Sequence, residues 1–173
     1  DMAVDLKIGV VGAAGRMGRM IVGVIADTDG CAIAGATEAP GSEHIGADVG
    51  ELARVGSAGV AISADAAAMF DAVDVVIDFT VPAATVAHAA LGAGEGCGLV
   101  AGTTGLDADD FAALGRAGLQ TTIVWASNMS AGVNLLFALT EQVARTLGPE
   151  VDIEIVEIHH RHKIDAPSGT ALS

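Results

Sequence analysis

Short apolar runs alternate with longer stretches of helical periodicity along most of the chain. The runs are rich in valine, isoleucine and alanine, which is typical of strands buried in a parallel sheet. The predicted strands span residues 6–11, 31–37, 60–62, 73–79, 98–101 and 122–126. The predicted helices span residues 16–26, 64–70, 82–91, 107–115 and 130–147. This alternation predicts an α/β fold with a doubly wound, Rossmann-like parallel sheet.

A glycine-rich turn follows the first predicted strand. Residues 12–18 have the sequence GAAGRMG, a G-x-x-G-x-x-G spacing between a strand and a helix. Glycines at such a turn let the backbone approach a pyrophosphate, which binds at the helix N-terminus. Glu38 follows Gly18 by 20 residues, where an acidic side chain accepts hydrogen bonds from an adenosine ribose. A turn without a ligand and a solvated glutamate are the alternatives, but the strand-turn-helix context favours dinucleotide binding.

Small and hydroxyl residues also follow the later predicted strands, at residues 79–82, 102–105 and 127–129. Ligands of doubly wound sheets bind beyond the carboxyl ends of the strands, so these segments are expected to line a cofactor cleft. The glycine-rich segment 39–59 is predicted to be a mobile loop with one helical turn. His88, inside a predicted helix, is interpreted as a packing or surface residue rather than a ligand.

Titratable side chains concentrate near the end of the chain. Residues 157–163 have the sequence EIHHRHK, which contains three of the five histidines and one of the two lysines. The alternating apolar run over residues 151–158 predicts a strand, and PSGTA at residues 167–171 predicts the start of a helix. A helix N-terminus suits a carboxylate or a phosphate. If the first part of the chain binds a dinucleotide that donates hydride, this segment is expected to bind the molecule that receives the hydride.

Composition narrows the classes of function. The formal net charge of -14 and the lack of a basic stripe argue against binding nucleic acid or an anionic membrane. No apolar run approaches the ~20 residues of a membrane span, and the N-terminus lacks a signal peptide's basic region. Cys31 and Cys97 are predicted to be reduced thiols, as in a cytoplasmic protein. His160 and His162 lack cysteine or carboxylate partners at suitable spacing, so no metal site is predicted.

Five motifs together resemble one known family. They are GAAGRMG at residues 12–18, DFT at 78–80, GTTG at 102–105, SNMSAGVN at 127–134 and EIHHRHKIDAPSGTA at 157–171. They resemble the dihydrodipicolinate reductase family, and the resemblance extends from about Lys7 to the end of the chain. It implies NAD(P)H-dependent reduction of 4-hydroxy-tetrahydrodipicolinate (dihydrodipicolinate) to tetrahydrodipicolinate, a step in lysine and diaminopimelate biosynthesis.

The resemblance also implies roles for individual residues. His159 would be the acid/base residue and Lys163 the proton donor. The substrate dicarboxylate would be bound by His160, Ser168, Gly169 and Thr170. The cofactor would be bound by Gly12, Ala13, Ala14, Gly15, Arg16, Met17, Glu38, Gly102, Thr103, Thr104, Ala126, Ser127, Asn128 and Met129. A histidine titrates near neutral pH and a lysine can donate a proton while stabilising negative charge, which agrees with those roles.

Some residues keep more than one interpretation. Glu157 is either a partner of the catalytic residues or a plain strand residue, and Arg161 and His162 are interpreted as a structural hydrogen-bond network. Many family members have an arginine where this chain has Ala39. The resemblance therefore implies a preference for NADH over NADPH, with Arg16 as the nearby cation that could serve NADPH.

The sequences of family members are longer than this chain and continue past the position that matches its last residue. We expect a dinucleotide-binding domain at residues 1–128 and the incomplete start of an α+β substrate-binding and oligomerisation domain at 129–173. The full-length family member is expected to be a homotetramer. Three hypotheses follow: a reductase with its full mechanism, a dinucleotide-binding module without turnover, and a related dehydrogenase acting on another dicarboxylate.

Overall fold

A computed structural model describes residues 6–159, 161 and 166–173, and the chain divides into two compact units, 1–125 and 126–173. The first unit contains a parallel sheet. Its strands are β1 (Leu6–Val11), β2 (Cys31–Thr37), β3 (Val75–Asp78), β4 (Gly98–Ala101) and β5 (Ile123–Trp125). Their order in the sheet is β2-β1-β3-β4-β5, and every neighbouring pair is parallel. The chain runs from β1 to the edge strand β2 and then crosses to β3 on the other side of β1, so the turn after β1 lies where the strand order reverses, which is where such folds bind ligands.

Helices cover both faces of this sheet. They are α1 (Arg16–Ala26), α2 (Val49–Ala53), α3 (Ala66–Ala72), α4 (Pro82–Glu95) and α5 (Ala108–Ala117). One buried cluster joins α1 and α2 to the sheet and includes Val10 and Val22. The other joins α3, α4 and α5 to the opposite face and includes Phe70, Val76 and Leu99. Successive strand side chains point to opposite faces, so two clusters form, and the predicted doubly wound α/β fold is confirmed.

Local sequence signals set the helix ends in this unit. Asp107 caps α5 by accepting hydrogen bonds from the N–H groups of Asp109 and Asp110. Pro82 is the first residue of α4, and Gly96 ends that helix with a φ of 70°. Proline lacks the N–H that a first turn leaves unpaired, and glycine tolerates positive φ. The predicted start of α4 at Pro82 agrees with the structure, whereas the helix continues to Glu95, beyond the predicted end at residue 91.

Residues 60–62 do not form the strand that the sequence predicts. This part of the chain makes only isolated bridges, between Asp48 and Ala61 and between Thr37 and Ser63. The apolar character of the run instead reflects burial, because Ile62 is only 1% exposed and packs in the cluster beneath α1 and α2. A short apolar run cannot distinguish a buried loop from a strand.

One carboxylate organises the loop between β2 and α3. Asp48 caps α2, whose presence confirms the helical turn predicted for residues 39–59, and it accepts hydrogen bonds from Gly50 and Glu51. It also accepts hydrogen bonds from the Ser57 hydroxyl and from the N–H groups of Ala58 and Gly59. The Ala58 and Glu51 N–H donors are the main cause of a pKa well below the ordinary value for Asp48.

The second unit contains α6 (Ala131–Leu147), a 3-10 helix (Gly148–Glu150) and α7 (Gly169–Leu172). The predicted strand at residues 151–158 is wrong for the structure described, which has no strand there. A strand forms when a neighbouring backbone pairs with its N–H and C=O groups, and alternation alone supplies no such neighbour. Val156 and Ile158 are accordingly 88% and 91% exposed. The predicted helix start near residue 168 is confirmed by α7.

Candidate functional site

The turn after β1 brings the start of α1 close to the edge of the sheet. Gly12 has a φ of 62°, in the left-handed region that favours glycine. A Cβ on Gly18 would lie 2.6 Å from the Cα of Ala13, so this close approach requires glycine. Gly15 precedes α1 and leaves its first turn without a side-chain cap. The N–H groups and the positive end of the helix dipole at such a terminus suit a pyrophosphate.

Side chains around this turn differ in what they could offer a ligand. Arg16 and Met17 are exposed, whereas Ala13 is fully buried and could offer only its backbone. Arg19, which the sequence analysis did not single out, donates from Nε to the carbonyl oxygen of Ala14 at 2.8 Å. It therefore braces the turn from one helical turn further along α1. Nothing in the sequence around Arg19 indicates that its side chain would bind the Ala14 carbonyl oxygen.

The Glu38 carboxylate lies against the same turn. Its Oε1 accepts a hydrogen bond from the Ala14 N–H at 2.8 Å, and its Oε2 accepts one from the Ala39 N–H at 3.3 Å. The side chain is half-buried at the end of β2. Each carboxylate oxygen can accept more than one hydrogen bond, so both retain capacity for a ribose hydroxyl. The structure thus brings together Glu38 and the glycine-rich turn, as the sequence predicts.

A buried acid lies at the end of β3. Asp78 is 0% exposed, and its Oδ2 accepts a hydrogen bond from Nδ1 of His88 at 2.8 Å. His88 also stacks on Phe70, with the ring centroids 5.9 Å apart, as expected of a packing residue. Its bond to Asp78 is not anticipated by the sequence analysis. An acid at a strand end, with a histidine facing it from the next helix, is the signal that could have indicated this pair.

The loop after β4 is tied to the loop after β3. The Gly102 N–H donates to the carbonyl oxygen of Asp78 at 2.8 Å, and a Cβ on Gly102 would overlap the Phe79 ring. Thr103 is 3% exposed, and its carbonyl oxygen accepts a hydrogen bond from Nε1 of Trp125 at 2.9 Å. Thr104 is half-buried. Gly102, Thr103 and Thr104 therefore lie at the carboxyl edge of the sheet, where the sequence predicts the cofactor.

Glu157 organises the candidate substrate residues of the second unit. Its Oε2 lies 2.9 Å from Nε2 of His159, and its Oε1 accepts a hydrogen bond from the Ser168 N–H at 2.9 Å. The Ser168 hydroxyl, only 2% exposed, also binds the Glu157 carboxylate. The Ser168 and His159 hydrogen bonds lower the pKa of Glu157 to about 2. Of the two interpretations of Glu157, these contacts favour a partner of His159.

Other predicted residues of the second unit also meet. Nδ2 of Asn128 donates to the Thr170 hydroxyl at 3.2 Å, and the Ser127 and Ser173 hydroxyls share a hydrogen bond. Nδ2 of Asn134 donates to the carbonyl oxygen of Asn128 at 2.9 Å. Two segments that are 42 residues apart in the sequence are therefore joined by side chains. Ala126, Met129 and Gly169 flank these contacts in the chain.

Two predicted residues, Lys163 and His160, lie outside the described residues, as does His162 of the proposed structural network. Across residues 6–159, 161 and 166–173, no group of three or more histidine, cysteine, aspartate or glutamate side chains could hold a metal ion. Within the same described residues, no helix is both long and apolar enough to span a bilayer.

Comparison with known proteins identifies relatives over nearly the whole chain. The family model described as "Dihydrodipicolinate reductase, N-terminus" matches residues 6–129, and "Dihydrodipicolinate reductase, C-terminus" matches residues 132–173. A 4-hydroxy-tetrahydrodipicolinate reductase of Bradyrhizobium sp. (strain ORS 278) is 53% identical over 167 residues, covering 96% of this chain and 61% of that protein. One from Magnetococcus marinus is 51% identical, covering 96% of this chain and 62% of that protein. The chain thus spans about three fifths of the length of these curated relatives.

Solved structures share the fold. A dipicolinate-bound dihydrodipicolinate reductase from Paenisporosarcina sp. TG-14 matches with a TM-score of 0.73 and 22% identity, covering 97% of this chain and 63% of that one. The WlbA dehydrogenase from Chromobacterium violaceum, in complex with NADH and UDP-GlcNAcA, matches with a TM-score of 0.63 and 13% identity. It covers 82% of this chain and 41% of that one. The chain therefore has the fold of dinucleotide-binding oxidoreductases.

Proposed function

The chain belongs to the dihydrodipicolinate reductase family, and from that premise we propose that its whole protein reduces 4-hydroxy-tetrahydrodipicolinate to tetrahydrodipicolinate with NAD(P)H. The observation that carries this proposal is the match of both family models, which together cover residues 6–129 and 132–173. The reaction would serve lysine and diaminopimelate biosynthesis, as the resemblance implies.

The first unit would hold the cofactor. Residues 12–17 would bind the pyrophosphate with backbone N–H groups at the uncapped start of α1, and Glu38 would accept the ribose hydroxyls. Gly102, Thr103 and Thr104 would line the nicotinamide end. The resemblance also assigns residues 126–129, at the start of the second unit, to cofactor binding. The glycines at 12 and 18 support this fit, because a Cβ on Gly12 would lie 2.9 Å from the Thr80 side chain and one on Gly18 would lie 2.6 Å from the Cα of Ala13, so larger residues would displace the turn. A bound nicotinamide supplies hydride.

The second unit would supply the proton that the substrate takes up after hydride transfer. Hydride delivery to a conjugated carbon leaves the substrate with negative charge, which requires protonation. His159, held by the Glu157 carboxylate, would act as the acid/base residue, and Lys163 would donate the proton. His160, Ser168, Gly169 and Thr170 would bind the substrate dicarboxylate. Because the Ser168 hydroxyl and N–H both bind Glu157, Ser168 would contribute by holding the start of α7 in place.

We also propose that NADH is preferred over NADPH. Glu38 would repel a 2′-phosphate, and the next two residues, Ala39 and Pro40, carry no charge. Arg16 is exposed and is the nearby cation that could partly offset this repulsion. The domain limits 1–128 and 129–173, a homotetramer of the full-length protein and a cytoplasmic location remain part of the proposal.

A second candidate function is a dinucleotide-binding module without turnover. It is favoured by one observation: residues 151–159, which include the candidate catalytic residue His159, form no strand in the described structure. The third hypothesis, a dehydrogenase of another dicarboxylate, predicts turnover with other dicarboxylates. It is less favoured because relatives at about half identity bear the name of a single reductase.

The test is NADH oxidation by the 173-residue chain with enzymatically generated 4-hydroxy-tetrahydrodipicolinate, followed by nicotinamide absorbance. Turnover that is lost in Lys163→Ala, while NADH affinity is unchanged, supports the reductase with Lys163 as its proton donor. NADH binding without turnover supports the second candidate for this chain. Turnover with other dicarboxylates but none with this substrate contradicts the proposed reaction.

A further inference from the structure

The carboxylate of Asp78 collects hydrogen bonds from the loop that follows β3. Its Oδ1 accepts one from the Thr80 N–H at 2.8 Å and one from the Thr80 hydroxyl at 2.6 Å. Its Oδ2 accepts one from His88, on α4, at 2.8 Å. A carboxylate can only accept, so Nδ1 of His88 carries the proton in this bond. The fully buried acid is thereby joined to a loop and to a helix.

A buried carboxylate is destabilised unless donors replace the water that it loses. Burial by itself raises the pKa of Asp78, but the hydrogen bonds from His88 and Thr80 and the charge of His88 outweigh it and lower the pKa. Asp78 is therefore ionised at neutral pH. Hydrogen bonds to an ionised acceptor are roughly twice as strong as neutral ones.

The loop after β4 is held by the same acid. The Thr103 hydroxyl accepts a hydrogen bond from the Thr85 hydroxyl at 2.8 Å and points its own proton toward Oδ1 of Asp78 at 3.4 Å. The backbone of Asp78 accepts the Gly102 N–H. The hydroxyl of Thr103 is thus occupied on both sides and 3% exposed, which leaves its backbone, and not its side chain, for a ligand.

Of the two loops that Asp78 joins, the one after β4 is proposed for the nicotinamide end of the cofactor, and the one after β3 is expected from the sequence to line the same cleft. Asp78 is 0% exposed and cannot touch a ligand itself. We propose that Asp78 is a positioning residue for cofactor binding, which holds the loops after β3 and β4 in the arrangement that receives the nicotinamide half of the dinucleotide. His88 and Thr85 act through it. This inference rests on the proposed cofactor function of the first unit.

The experiment compares two ligands on the 173-residue chain by calorimetric titration. NADH uses the whole dinucleotide site, whereas ADP-ribose lacks the nicotinamide ring and tests the turn after β1 and Glu38. Asp78→Asn keeps the shape of the side chain and removes its charge. We expect the affinity for NADH to fall about tenfold, as for one charge-assisted hydrogen bond, and the affinity for ADP-ribose to stay within about twofold.

Asp74→Asn is the matched control. Asp74 lies just before β3, at the opposite edge of the sheet, and its carboxylate accepts the Lys7 N–H. The variant removes the same charge and is expected to bind both ligands as the unaltered chain does. Thr85→Val is the second variant. Thr85 is fully buried and is linked to Asp78 through the Thr103 hydroxyl. Loss of the Thr85 hydroxyl should weaken NADH binding about threefold and leave the affinity for ADP-ribose unchanged.

The outcomes separate this inference from the function on which it rests. Equal losses of both ligands in Asp78→Asn would show a general structural role and overturn the inference, and so would unchanged affinities. If Asp78→Asn does not fold, a selective loss in Thr85→Val supports the inference and its absence overturns it. An unaltered chain that binds ADP-ribose as tightly as NADH contradicts the inference alone. A chain that binds neither ligand contradicts both proposals.

Discussion

The Oε1 atom of Glu38 accepts a hydrogen bond from the backbone N–H of Ala14 at 2.8 Å, which joins the end of β2 to the turn after β1. The two residues are 24 positions apart. The bond holds the carboxylate beside the uncapped start of α1, so the groups proposed for the ribose and the pyrophosphate lie next to each other.

Glu38→Ala removes this contact and the proposed ribose acceptor. We expect the affinity for both NADH and ADP-ribose to fall about tenfold, because each ligand carries the adenosine ribose. Glu43→Ala is the control, since it removes the same charge from an exposed position in the same loop. Calorimetric titration of both variants measures the effect. Equal affinities in Glu38→Ala and Glu43→Ala would refute the role of Glu38.

Gly18→Ala and Gly23→Ala test the close approach of α1 to the turn. A Cβ on Gly18 would lie 2.6 Å from the Cα of Ala13, whereas the nearest atom to one on Gly23 is 3.9 Å away, on Val55. We expect Gly18→Ala to lower the free energy of unfolding by about 1–3 kcal/mol and to abolish tight NADH binding. Gly23→Ala should raise it by up to about 1 kcal/mol, because alanine favours helix. Denaturant unfolding compares them, and a neutral Gly18→Ala would contradict this packing.

The hydrogen bonds of Asp48 should make the melting temperature depend on pH. Hydrogen bonds, chiefly from the Ala58 N–H, lower the pKa of Asp48, so the unfolded chain binds its proton at higher pH than the folded chain. Its contribution is therefore present above about pH 4 and is lost as the pH falls below that value. We expect Asp48→Asn to lower the melting temperature at pH 7 and to make its decline below pH 4 shallower. Asp71→Asn, at an exposed site on α3, is the control, and parallel declines in both variants would contradict the prediction.

Glu157→Gln tests the link between His159 and the start of α7. The pKa of Glu157 is lowered to about 2, so the carboxylate stays ionised across the neutral range and its charge is available to His159 throughout. We expect the substitution to lower kcat about tenfold, with a smaller change in the KM for NADH. Glu154→Gln, at an exposed position three residues earlier, is the control. An unchanged kcat in Glu157→Gln would show that the contact with His159 has no catalytic consequence.

Most of the first unit could be predicted from sequence because its signals are local. Residues 8–11 are a buried apolar run, residues 12–18 carry the glycines that the turn needs, and Asp107 and Pro82 mark helix starts. The contacts that hold the candidate site are of another kind. His88 is ten residues from Asp78, and Glu157 is eleven from Ser168. Their pairing depends on how elements pack, which no spacing rule encodes.

The incorrect strand predictions have the same origin. Residues 151–158 and 60–62 have apolar patterns suited to strands, but an apolar pattern does not show whether a segment pairs continuously with a neighbouring strand. In the described structure the first segment is exposed and the second makes isolated bridges. The hydrophobic pattern predicts which residues prefer burial. Strand pairing depends on which other segments of the chain pack next to them.

The most direct test of the proposed cofactor site is a titration of the isotopically labelled 173-residue chain with NADH, followed by backbone amide chemical shifts. The site predicts saturable shifts concentrated at residues 12–17, at Glu38 and at residues 102–104. ADP-ribose should reproduce the shifts at 12–17 and Glu38, and leave 102–104 largely unmoved. Shifts that do not saturate, or that lie mainly away from the carboxyl edge of the sheet, would contradict the proposed site.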